Sequence, residues 1–177
     1  MNTLSDKLNK IYKLLLKAYG PQKWWPAESS LEVMVGAVLT QNTNWQGVEK
    51  AIANLKRVNL LDPHKLKAIP TEDLSLLIKP AGYFNLKARR LKNLIGMVTE
   101  AYGGDLNAMG QMKTAQLRQE LLLVNGVGPE TADSILLYAF HRPIFVVDTS
   151  TYRVTSRHGL IEEEVNYQAL QDLFMHH

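Results

Sequence analysis

Apolar residues recur at steps of three and four along almost the whole chain, a spacing that commits it to helices. Leu4, Leu8, Ile11 and Leu15 open the series, which predicts a first helix buried on one face. "LEVMVGAVLTQ" is apolar on most sides, so it reads as a central helix, with Ser29 and Ser30 placed to cap it. Val48, Ile52 and Leu55 mark a third helix from about Trp45 to Val58. Prolines cut "LDPHKLKAIP" and "TEDLSLLIKPAGY" into short helices. "NLKARRLKNLIGMVTEAYGG" is apolar at Leu91, Leu94, Ile95 and Val98, and Gly103 and Gly104 stop it. Its other side carries Lys87, Arg89, Arg90 and Lys92, a face for solvent or for phosphates. Ala132, Ile135, Leu136, Ala139 and Phe140 form a further amphipathic helix, and the segments from Tyr152 and through "NYQALQDLFMHH" are helical again. Only "PIFVVD" reads as a strand. The expected fold class is all-α, with no internal repeat.

Length and composition narrow the classes. At 177 residues the chain makes one compact domain or two small lobes. It has no cysteine, which rules out disulfides, thiolate metal sites and a cysteine nucleophile within it. No apolar run approaches the ~18 residues of a membrane span, and "MNTLSDKLNK" lacks the apolar region of a secretory signal. A formal charge of +3 permits a polyanionic partner without requiring one.

The most informative stretch is "LLLVNGVGPETADSILLYAF". Gly126 and Gly128 allow a tight turn and a close approach to its backbone, and Pro129 suits the first position of a helix. A helix, a glycine turn and a second helix make a hairpin whose backbone N–H groups, with the dipole behind them, suit an anion such as a nucleic-acid phosphate. A plain helix corner packed in a core fits the same residues. Asp148, directly after "IFVV", reads as a helix N-cap. One helix and a return strand would bring it back beside the turn, where a carboxylate could be catalytic, and capping and catalysis are compatible.

Taken together, "LVNGVGPETADSILLYAF…VVDTSTYRV" resembles the helix–hairpin–helix, Gly/Pro-rich loop and aspartate signature of the endonuclease III-like (helix–hairpin–helix–GPD) DNA glycosylases. "MVGAVLTQNTNWQGVEKAI" and "AGYFNLKARRLKNL" are similar to that family's early central helix and its pre-hairpin segment, so the likeness spans about residues 28 to 175. It implies an all-α fold of two helical lobes with the active site in a cleft between them. The central lobe would be about 28–140, ending in the hairpin 121–140, and 1–27 plus 141–177 would form the second. The chain ends while still helical, so a further C-terminal segment is expected. The implied partner is double-stranded DNA containing a damaged base, met by a monomer in the cytoplasm at the nucleoid, away from membranes.

Carried over residue by residue, the resemblance makes Asp148 the catalytic aspartate, stabilising an oxocarbenium-like sugar and orienting water. Gly126, Val127 and Gly128 would bind the phosphate, and Gln41 would enter the gap left by the flipped base. In the family, carbonyls at this turn can hold an alkali ion; here they would be those of Leu122, Val124 and Val127. No cofactor is implied for catalysis, and a [4Fe-4S] cluster would need cysteines in a C-terminal segment. Bifunctional members have a Schiff-base lysine where this chain has Glu130, which cannot form an imine, so no lyase step is expected. Glu130 also complements the helix N-terminus.

"KWWP" and the aromatic after "TQNT" resemble the 3-methyladenine DNA glycosylase branch, whose base pocket would fall on Trp24, Trp25, Pro26 and Trp45. Indole faces attract a cationic alkylated purine by roughly 0.5–2 kcal/mol. The same tryptophans also serve as core plugs in other folds. Oxidised pyrimidines or mismatched bases as substrates, and a non-catalytic duplex-binding module, stay open beside this reading. His64, His141 and His158 show no metal-ligand spacing and are taken as surface residues. Arg153 and Arg157, one turn apart, suit phosphates or solvent.

Overall fold

The computed structural model describes residues 3–22, 24–161 and 165–177, and among these there are helices and no strand. The chain divides into two units: Ala27–Pro143, and Met1–Pro26 with Ile144–His177.

The larger unit is built around α2 (Ser30–Leu39), in which Leu31 to Leu39 are all buried. A helix apolar on most sides has nowhere else to go. Ser29 caps it by accepting from the Glu32 N–H. Around it lie α3 (Trp45–Arg57), α4 (Pro63–Ala68), α5 (Thr71–Leu77), a 3₁₀ turn at Lys79–Ala81 and the long α6 (Phe84–Tyr102). Then come α7 (Leu106–Gly110), α8 (Thr114–Leu123) and α9 (Pro129–Ser134). The helix predicted after the hairpin is interrupted: beyond Ser134 it widens into a π turn, Ile135–Ala139. A π turn leaves carbonyls without their usual partner. Here Ser30 Oγ donates to Ala139 O and the Arg142 N–H to Leu136 O.

Two lysines of α6 depart from expectation. Periodicity puts Lys87 and Lys92 on an outward basic face, but in the fold both turn inward. Lys87 is 1% exposed, and its Nζ donates to Leu39 O at 2.8 Å and Ala81 O at 2.7 Å, capping the end of α2 and the 3₁₀ turn. Lys92 Nζ donates to the carbonyls of Leu66, Lys67 and Ile69 at the end of α4. Helix C-termini present unsatisfied carbonyls and partial negative charge, so a long cationic side chain from a neighbouring helix is a natural partner. Burial, with the charge of Arg90 adding to it, pushes the Lys87 ammonium down to about 8. Arg89 remains exposed.

The smaller unit comprises α1 (Leu4–Tyr19), α10 (Thr149–Arg157) and α11 (Tyr167–Met175). α1 has a full capping box at Thr3 and Asp6, yet none of its residues is buried, contrary to the one-sided burial predicted. Leu8, Ile11 and Leu15 line an apolar cavity of about 460 Å³ instead of a filled core. "PIFVVD" forms no strand. Its backbone groups are met by side chains of α11: Gln171 Nε2 donates to Phe145 O, the Phe145 N–H reaches Met175 Sδ, and the Val147 N–H reaches Tyr167 Oη. Phe145 also stacks on Phe174 with ring centroids 3.9 Å apart. Extended backbone satisfied this way needs no sheet.

Candidate functional site

The hairpin follows its predicted form. α8 ends at Leu123, the Val127 N–H closes onto Val124 O at 3.0 Å, and α9 starts at Pro129. Arg118 and Asp133 tie the two helices together. The two glycines are required for different reasons. Gly126 has φ +96°, and a Cβ there would lie 2.3 Å from Arg90 Cγ, so both conformation and packing demand glycine. Gly128 has φ −94° and ψ 178°, open to any residue, and a Cβ there would meet nothing within 4 Å. Nothing in the fold explains a glycine at 128. Among the described residues, the N–H groups of Gly126 and Gly128 donate to no acceptor in the chain.

Gln41 sits on this turn. Its Nε2 donates to Gly126 O and to Thr131 Oγ1, both at 3.0 Å, while its Oε1 accepts from Arg90 Nη1 at 2.5 Å. By sequence Arg90 belongs to the basic side of α6, and Thr131 carries no signal of this role. The partners lie 49 to 90 residues apart, and no local pattern links them.

In the smaller unit, Asp148 is the N-cap of α10 within a capping box. Its Oδ1 accepts from the Thr151 N–H and from Thr151 Oγ1, each at 2.7 Å, and Thr151 Oγ1 accepts from the Asp148 N–H at 3.3 Å. All three bonds join the same pair of residues, so the carboxylate is fixed in rotamer. Oδ2 takes no hydrogen bond among the described residues. Thr151 was not singled out from sequence, although a cap with a hydroxyl three residues on was a legible signal.

Trp24 is 65% exposed, which removes the core-plug reading for that residue, while Trp25 is half-buried and Pro26 exposed. Trp45, in the larger unit, is half-buried, and its indole N–H donates to Glu49 Oε1 at 2.9 Å. Glu130 is exposed in the first turn of α9. Arg153 and Arg157 are exposed on α10. Leu122, Val124 and Val127 contribute carbonyls around the turn, the Val124 oxygen accepting from Val127. No group of three or more metal-ligating side chains occurs among the described residues, and no helix there is long and apolar enough to cross a membrane. With no cysteine, this chain supplies no thiolate to an iron–sulfur cluster.

Residues 35–176 match the HhH-GPD superfamily base excision DNA repair proteins. The "putative DNA repair glycosylase" of Methanocaldococcus jannaschii is 51% identical over 170 residues, covering 96% of this chain and 77% of that protein. Endonuclease III of Thermotoga maritima is 34% identical over 130 residues, covering 73% of this chain and 57% of its own. The crystal structure of the H. pylori 3-methyladenine DNA glycosylase bound to 1,N6-ethenoadenine superposes with TM-score 0.84 at 31% identity, over 98% of this chain and 80% of that one. The chain therefore belongs to the HhH-GPD superfamily of base excision DNA repair proteins, as a DNA glycosylase of the endonuclease III-like kind.

Proposed function

We propose that this protein is a monofunctional glycosylase that hydrolyses the N-glycosidic bond of an alkylated purine, such as 3-methyladenine, flipped out of double-stranded DNA. The observation that carries the reaction is the locked Asp148 carboxylate: Thr151 saturates Oδ1 and leaves Oδ2 for the substrate. A fixed anion stabilises the positive charge that develops on the sugar as the base departs, without reorganising at that moment. The same oxygen can orient the attacking water and take its proton. The backbone at Gly128, open to close approach, grips a phosphate of the same strand, a contact blind to sequence.

An N-alkylated purine carries positive charge and leaves readily, so a site with one carboxylate and no evident general acid suits it. The exposed face of Trp24, with Trp25 and Pro26 next to it in the chain, supports this base class through cation–π stacking. The 31% identity to a 3-methyladenine DNA glycosylase points the same way. Poor stacking of a damaged base lowers the cost of flipping by part of a few kcal/mol. Glu130 in place of a Schiff-base lysine leaves an abasic site as product. An alkali ion at the carbonyls of Leu122, Val124 and Val127 would suit an oxygen-only donor set and would share the phosphate.

The test is incubation of purified protein with methylated duplex DNA, scoring each released base and the integrity of the strand. Release of 3-methyladenine with intact strands and no borohydride-trapped adduct supports the proposal. Release of oxidised pyrimidines instead, or an adduct with strand nicking, refutes the substrate class or the monofunctional chemistry respectively. Binding without release of any base would identify a duplex-binding module.

A further inference from the structure

Gln41, Arg90, Gly126 and Thr131 come from four separate segments: the loop after α2, α6, the hairpin turn and α9. The Gln41 amide spends both of its N–H donors on Gly126 O and Thr131 Oγ1, and its oxygen on Arg90. A guanidinium only donates, so it must face Oε1, and that choice alone turns the NH₂ group toward the hairpin. With the amide flipped, its oxygen would face the Gly126 carbonyl and repel it. Arg90 also lies across the turn itself, where its Cγ occupies the space a Gly126 side chain would need. One residue thus sets the orientation of the amide and covers the turn it holds.

We propose that Arg90 is a positioning residue for the glycosylase reaction: acting through Gln41, it locks the loop after α2 to the hairpin turn, so that both meet the DNA in a fixed register. This rests on Gln41 and the hairpin engaging the strand around the flipped nucleotide. Arg90→Met keeps much of the aliphatic stem over Gly126 and removes the guanidinium. It is expected to lower the single-turnover excision rate at saturating enzyme about tenfold, a size typical of coupled contacts. The effect is expected to vanish in a Gln41→Ala background, because the arginine acts through that amide. Equal, additive losses in the two backgrounds would overturn the proposal. So would a salt dependence of binding whose slope falls by about one, the mark of a direct phosphate contact.

A second arm is independent of the lesion. Duplex carrying a tetrahydrofuran abasic analogue opposite 2-aminopurine reports engagement of the gap by the loop after α2 through fluorescence, and the same non-additive pattern is expected. If no alkylated purine is released, the substrate reading fails while this arm still decides the role of Arg90. Should Arg90→Met not fold, Arg90→Leu, which also lacks any donor for the Gln41 oxygen, replaces it in the same cycle, and additivity there overturns the proposal equally.

Discussion

Arg118 grips Asp133 with both arms of its guanidinium across the two helices of the hairpin, Nε to Oδ1 at 2.6 Å and Nη2 to Oδ2 at 3.1 Å. The carboxylate is fully buried and the guanidinium mostly so. Breaking such a pair leaves a charge stranded in a poor solvent, typically at about 3–5 kcal/mol. Asp133→Ala and Arg118→Ala are each expected to lose stability on that scale in urea unfolding. A loss near that of a surface substitution would show that the pair does not hold the hairpin.

The two hairpin glycines should separate folding from binding. Gly126→Ala forces a positive φ, worth about 1–2 kcal/mol, and drives Cβ into the Arg90 stem, so a clear fall in stability is expected. Gly128→Ala should leave stability within about 0.5 kcal/mol of the parent. It should nevertheless weaken duplex binding, because the new methyl projects into the open space where the proposed function puts a phosphate. Equal stability losses at both positions would remove the argument for an external partner at Gly128.

At Asp148, capping and chemistry can be pulled apart. Asn caps a helix as well as Asp does, so Asp148→Asn should unfold at nearly the parental urea midpoint. Its excision rate should drop by about 10²–10⁴, the usual worth of a positioned proton acceptor, with duplex affinity retained. Asp148→Ala should lose the rate and also about 1 kcal/mol of stability. Full excision by the Asn variant would end the catalytic assignment.

Lys87 gives a pH dependence of definite sign. Below about pH 8 the ammonium is charged in both folded and unfolded chains, and folding bears the whole cost of burying it. Between about 8 and its ordinary 10.5, the folded chain gives up the proton while the unfolded chain keeps it, so stability from this site rises with pH. The neutral amine still has two N–H groups for the two carbonyls it caps. The stability difference between parent and Lys87→Met should therefore widen from pH 7 to pH 10, by on the order of 2–3 kcal/mol. A difference independent of pH would mean that Lys87 does not titrate in this window.

Elements whose hydrogen bonds close within a few residues were legible in the chain itself. The helical class, the stop at Gly103, the Ser29 and Asp148 caps and the start of the second hairpin helix at Pro129 all depend on bonds or conformations local to the sequence. The strand assigned to "PIFVVD" failed for the converse reason. A run of β-branched and aromatic residues describes an extended backbone, but whether its N–H and C=O groups meet a neighbouring strand or the side chains of α11 is not written in it.

The sequence alone determined the helical class, several caps and stops, and which turn carries the glycines, because those choices are fixed by backbone geometry and by partners one helical turn away. Tertiary structure decided which way the long side chains of α6 run, Lys87 and Lys92 inward to helix ends and Arg90 across the hairpin. It also decided which of the two glycines the fold itself requires. Apart from the Ala81 carbonyl, six residues from Lys87, the α6 side chains reach carbonyls and amides 23 to 49 residues away, whose approach depends on packing rather than on periodicity.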